Sequence, residues 1–192
     1  MAPRAVATLM LARGDLAAGW DAYEARHSPD LPKAVTYDAP GARWTPDVSL
    51  EGRRLLVFAE QGLGDSIQFV RFAATLRDRG AQVLVLARPP LAALFAQSLD
   101  GIEVRSAEGK VDMGEPDYWA LYGSLPLRLG LRLDAIPNAP YLRAAHAPPP
   151  RAPGPLRIGL TTKGNPAQAN DARRSLSAAQ AARLTNLKDV EI

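Results

Sequence analysis

Apolar positions in the first 27 residues recur at helical spacing: Val6, Leu9 and Met10, then Leu16, Trp20 and Tyr23 after the interruption Arg13-Gly14-Asp15. Asp15 is placed to cap the second run, so the pattern predicts a helical hairpin over residues 1–27. Residues 28–52 lose this period and carry four prolines, which predicts an extended connection. From Arg53 the pattern becomes strand, helix, strand, helix. "RRLLVFAE" reads as a buried strand and "SIQFVRFAATLRDRG" as a helix ending at a glycine. "AQVLVLAR" is a second strand, "PPLAALFAQSL" a helix opened by proline and "IEVRS" a short third strand. "DYWALYG" reads as a further strand and "SLPLRLGL" as a short helix or helical turn.

Strands that are apolar throughout and alternate with helices have no solvent side to keep polar, which predicts a parallel sheet covered on both faces. The expected fold class is therefore α/β, a Rossmann-like doubly wound sheet over residues 53–145. "HAPPPRAPGP", residues 146–155, can join neither a helix nor a central strand, and is expected to be a linker. Beyond it, "LRIGLTTKGN" reads as a buried strand running into a polar turn, "SLSAAQAARLTNL" as a helix and "VEI" as the start of another strand. Residues 156–192 thus read as the first βα unit of a second sheet, too short to close a domain, and the expectation is a piece of a longer protein.

Hydrophobic residues make up 47% and charged residues 22% of the 192 residues, which is ordinary for a globular protein. The chain has no cysteine and only two histidines, His27 and His146. A cysteine-ligated zinc, an iron–sulfur cluster, a disulfide framework and a thiol nucleophile are excluded, and no metal site is expected. The longest apolar runs are strand-sized, well below the ~20 residues of a membrane helix, and no small-residue cleavage site follows the N-terminal apolar stretch. No membrane span is expected, and the cytoplasm is the expected compartment. The net charge of +3 divides unevenly: residues 1–142 hold 15 basic and 17 acidic residues, and residues 143–192 hold 8 basic and 3 acidic. The basic end would suit an anionic ligand. No nucleic-acid partner is expected, because aromatics do not interleave with the arginines.

Chemistry concentrates in "EQGLGDSIQFVRFA", residues 60–73. Three readings of its turn stay open. Asp65 with Gln68 three residues later fits a capping box, in which the acid accepts from backbone amides. A dinucleotide fingerprint would need a third small residue where Ile67 stands, and an acid where the second strand ends in Arg88-Pro89. Alternatively, an acid beyond the C-terminal end of a parallel strand can serve as a base on a bound hydroxyl.

The order of "LARGDLAAGWDAYEAR", "LLVFAEQGLGDSIQFVRFA", "DYWALYGSLPLRLG", "PYLRA" and "IGLTTKGNPAQANDARRS" resembles bacterial proteins in which tetratricopeptide repeats precede a glycosyltransferase region of GT-B fold, similar to the heptosyltransferases and O-linked sugar transferases. The resemblance implies two Rossmann-like domains across a cleft, with this chain holding the acceptor-side domain and the beginning of the donor side. It implies Asp65 as the base, with Glu60, Gln61, Gly62 and Gly64 beside the acceptor. Thr161, Thr162, Lys163, Arg174 and Ser175 would meet the donor phosphates. Where the repeat-bearing relatives carry a tryptophan, this chain has "TTKG". The implied substrates are a nucleotide-sugar, with no further cofactor, and a glycan, lipid or protein acceptor. The expected function is a glycosyltransferase-like fragment, inactive alone. The alternatives are a non-catalytic protein-binding module with a vestigial transfer site, meeting a partner through the hairpin, and an NADP-dependent reductase.

Overall fold

The computed structural model describes residues 3–28, 37–146, 153–166, 170–186 and 190–192. The chain divides into two compact units, Met1–His146 and Ala147–Ile192.

The first unit opens with α1 (Pro3–Ala12) and α2 (Leu16–Glu24), and a 3₁₀ turn over Ala25–His27 follows. Asp15 starts α2 as its N-cap, its Oδ1 accepting from the Ala18 amide at 3.3 Å. The connection expected to be merely extended contributes β1 (Ala42–Arg43). Next come β2 (Arg54–Phe58), α3 (Leu63–Val70), α4 (Phe72–Asp78), β3 (Gln82–Ala87), α5 (Pro89–Ser98), β4 (Glu103–Ser106), β5 (Tyr118–Leu121) and α6 (Leu125–Arg128). The five strands form one parallel sheet in the order β1-β5-β2-β3-β4. The single helix expected over residues 66–80 starts earlier and is interrupted at Arg71. Arg71 donates to the Gln68 and Pro137 carbonyls at 2.9 and 3.2 Å and lies 4.5 Å over the Tyr141 ring, so it ties the chain after α6 back onto α3.

Leu55, Val57, Val83, Val85 and Ala87 project from one face of the sheet into a core with Phe69, Phe72, Leu76, Leu91 and Phe95 from α3, α4 and α5. Leu56, Leu84 and Leu121 are buried on the opposite face. Both faces of the central strands are apolar because both are covered. Gly80, at φ +88°, turns the chain out of α4, and a β-carbon there would collide with the Glu51 carboxylate. Among the described residues, no helix is long and apolar enough to cross a membrane.

In the second unit, β6 (Leu156–Arg157) pairs parallel with β7 (Val190–Glu191), with α7 (Asp171–Arg174) and α8 (Ala178–Thr185) between them in sequence. Ser177 and Gln180 form a reciprocal capping box at the start of α8. The buried strand expected from residue 156 onward is corrected: Leu156 and Ile158 are 50% and 38% exposed, and the regular pairing is two residues long. No described residue of this unit is buried, since so short a chain cannot cover both sides of a strand.

Candidate functional site

β2, β3 and β4 run outward in one direction, whereas β5 returns to the other side of β2. The order reverses between β2 and β5, and in open α/β sheets the crevice beyond the C-terminal strand ends at such a reversal is where ligands bind. Two segments reach this point: Ala59 to Asp65 after β2, and Tyr122 to Ser124 after β5.

The turn after β2 caps α3, in a different register from the one expected. Gly62, not Asp65, is the N-cap of α3. Asp65 stands at the third helical position, and its Oδ2 accepts from the Gly62 amide at 3.1 Å. The expected capping box is thereby corrected: Asp65 reaches back to the cap and Gln68 does not, because the helix begins at Leu63. Ser66, 1% exposed, donates to the Gly62 carbonyl at 3.0 Å. Asp65 also lines the switch-point crevice, together with Glu60, Gln61, Tyr122 and Gly123.

That crevice is filled by the end of the hairpin. Arg26 donates to Glu60 Oε1 and to Ser124 Oγ, both at 2.9 Å, and to Glu24 Oε1 at 2.6 Å. Gln61 donates to the Tyr23 hydroxyl, and the Arg26 guanidinium lies 4.3 Å over the Tyr23 ring. Trp20 meets Phe69 edge-on at 5.8 Å between ring centroids. The space remaining around Glu60, Asp65 and Tyr122 admits no water-sized sphere. Gly123 makes this approach possible, since a β-carbon there would lie 2.5 Å from Glu60 Oε1 and 3.1 Å from Arg26 Nη2. Glu60 and Gln61, expected beside an acceptor, thus face the hairpin, whereas Gly62 and Gly64 are exposed.

The network extends outward. Glu24 Oε1 accepts from Ser124 Oγ at 2.8 Å, and its Oε2 lies 3.0 Å from Arg43 and 3.7 Å from Arg128. Arg128 also donates to the Trp44 carbonyl. Burial alone would raise the Glu24 carboxyl, but Arg26, the Ser124 hydrogen bond and Arg43 together hold it below its ordinary value. Burial and the neighbouring Arg26 depress the His27 imidazole to about 4, so it is neutral at pH 7. Burial pushes the Tyr122 hydroxyl upward, and that hydroxyl has no hydrogen-bond partner.

A second concavity of about 590 Å³ is lined by Leu11, Trp20, Ile67, Phe72, Leu131 and Tyr141, together with Gly64, Gln68 and Arg71. Among the described residues, no three of His, Asp and Glu are grouped so as to hold a metal ion.

Over 149 residues the chain is 35% identical to Protein FlbA of Caulobacter vibrioides, an alignment covering 69% of this chain and 25% of that protein. The chain therefore spans about a quarter of the length of this curated relative. No protein-family model and no solved structure matches.

In the second unit, the Leu176 amide donates to the Thr162 carbonyl at 2.8 Å, and the Gly164 amide to Ser175 Oγ at 3.2 Å. Ser175 donates in turn to Asp171 at 2.9 Å. Thr162 and Ser175 are thus held on adjoining segments, and Thr161, Lys163 and Arg174 are exposed. Residue-by-residue reading missed Glu24, Arg26, Arg43, Ser124 and Arg128. The only local signal for them was "GSLP", where a small residue precedes a hydroxyl at a strand end.

Proposed function

We infer that this chain is the acceptor-side region of a glycosyltransferase-like protein, together with the start of its donor side, and that Asp65 is the base for the attacking hydroxyl. The observation that carries this reading is the place of Asp65: beyond the end of β2, at the switch point, steadied by the Gly62 amide. The hydroxyl would attack the anomeric carbon and pass its proton to Asp65 as the bond to the leaving diphosphate breaks. In the second unit, the exposed Lys163 and Arg174 are the residues proposed for the phosphates of a bound donor. Holding the carboxylate by one oxygen supplies orientation.

The donor half is tested by melting the chain against nucleotide-sugars of the four common bases, with NADPH alongside. One nucleotide-sugar should raise the melting temperature, and Lys163→Ala should abolish the rise. A rise with NADPH alone, or with no nucleotide-sugar at all, removes the donor role from residues 161–175.

One observation favours the alternative, a binding module with a vestigial transfer site: the hairpin fills the crevice and engages Glu60 and Gln61. On that reading Asp65→Ala leaves the biological activity of the protein unchanged.

A further inference from the structure

Glu24 sits where three guanidinium groups converge. Its carboxylate oxygens take Arg26 at 2.6 Å, Ser124 at 2.8 Å, Arg43 at 3.0 Å and Arg128 at 3.7 Å. The side chains of Arg26 and Arg128 are only 7% and 9% exposed. With Glu60 as the second acid, the cluster holds three positive charges against two negative ones. A carboxylate offers about four acceptor positions, and this one does not satisfy its surroundings. The Nε–H groups of Arg26, Arg43 and Arg128 are all buried without a hydrogen-bond partner. Leaving buried donors of charged groups unpaired is costly, and the cluster's unpaired buried acceptor, Glu60 Oε2, does not balance three unpaired guanidinium donors. Glu24 is the more exposed of the two acids, standing at the end of α2 with its side chain 21% exposed against 5% for Glu60, and Arg43 beside it is 34% exposed.

We propose that Arg26, Arg43, Arg128 and Ser124 form a binding site for a phosphoryl group, and that Glu24 occupies it as an internal stand-in. A phosphoryl group brings three terminal oxygens and close to two charges. It therefore answers both the excess positive charge and the unpaired donors better than a second carboxylate would. Arg43, the outermost of the three, is the residue a ligand meets first, and guanidinium groups suit this recognition because of their fork of fixed donors. The ligand is a phosphate monoester or free phosphate entering as Glu24 turns outward, while Arg26 stays in place on Glu60. The inference does not depend on the sugar-transfer reading, since no step at Asp65 enters it.

The test uses the 192-residue chain and inorganic phosphate at ionic strength held constant with chloride. Glu24→Gln removes the competing charge, so phosphate should raise its melting temperature by several degrees and that of the native chain much less. Adding Arg43→Ala to Glu24→Gln should abolish the effect. Glucose 6-phosphate in place of phosphate should act similarly if the site admits monoesters; no effect from it restricts the site to free phosphate. Acetate at the same concentration should give a clearly smaller rise, and an equal one would overturn the phosphoryl assignment. Should Glu24→Gln fail to fold in chloride, recovery of the folded state on adding phosphate supports the site, and no recovery overturns it. Equal shifts in the native chain and in the double variant would also overturn it, since they would reflect phosphate acting on the whole surface.

Discussion

His27 is a titrating group whose surroundings work against its charge. Its imidazole is pressed to about 4 by burial and by Arg26, whereas in the unfolded chain it titrates near its ordinary value of about 6.5. Below that value the unfolded chain takes up a proton that the folded chain refuses. Stability therefore falls as pH is lowered from about 6.5 towards 4. Denaturant midpoints measured across this window should slope downward, and His27→Gln should flatten the slope; an unchanged slope would place its origin elsewhere. Glu24 acts in the same direction at lower pH. Its carboxyl is held below 4.5 by the arginines and Ser124, so its contribution is present above that value and lost as pH falls through the folded one. Glu24→Gln should remove this acid-side loss.

Legibility at the residue scale was uneven for a physical reason. Asp65 stood out because a strand, a glycine turn and a helix are adjacent in sequence, and a cap is a local interaction. Glu24 and Ser124 are separated by 100 positions. Neither has a local pattern that requires the other, since a charge at the end of a helix is ordinarily just solvated. The register that joins them exists only once β5 returns beside β2.

At the scale of elements, strands β2 and β3 and helix α5 were legible because their burial is continuous or their ends are marked by proline. β1 was not, because a two-residue edge strand in a proline-rich stretch has no period to read. The core they form should respond as a close-packed one does. Phe95 is fully buried between α5 and the sheet, and Phe95→Ala should cost about 3–5 kcal/mol in urea denaturation; a loss below ~1 kcal/mol would mean that α5 is not seated as described. Gly123 joins an element to the site. A β-carbon there would press on Glu60, Arg26 and Gln61, so Gly123→Ala should cost about 1–3 kcal/mol, as overpacking does. It should also weaken the hold of the hairpin on the crevice, visible as faster amide exchange in α2. Unchanged exchange would show that Glu60 and Arg26 shift aside at no cost.

For the whole molecule, the two units contribute unequally. All described buried residues belong to Met1–His146, so a chain ending at His146 should melt within a few degrees of the full 192 residues; a fall of more than ~10 °C would show that the second unit supports the first. The chain covers about a quarter of Protein FlbA, and the proposed sugar transfer is a property to be tested on a full-length protein. The decisive measurement for the proposed transfer is sugar transfer by the full-length protein, native and Asp65→Asn side by side, with melting temperature and donor binding recorded for both. Transfer should fall by about 10²–10⁴-fold, the usual contribution of a positioned base, with melting and donor binding unchanged. Near-native turnover by Asp65→Asn would contradict the assignment and leave that carboxylate as the partner of the Gly62 amide and nothing more.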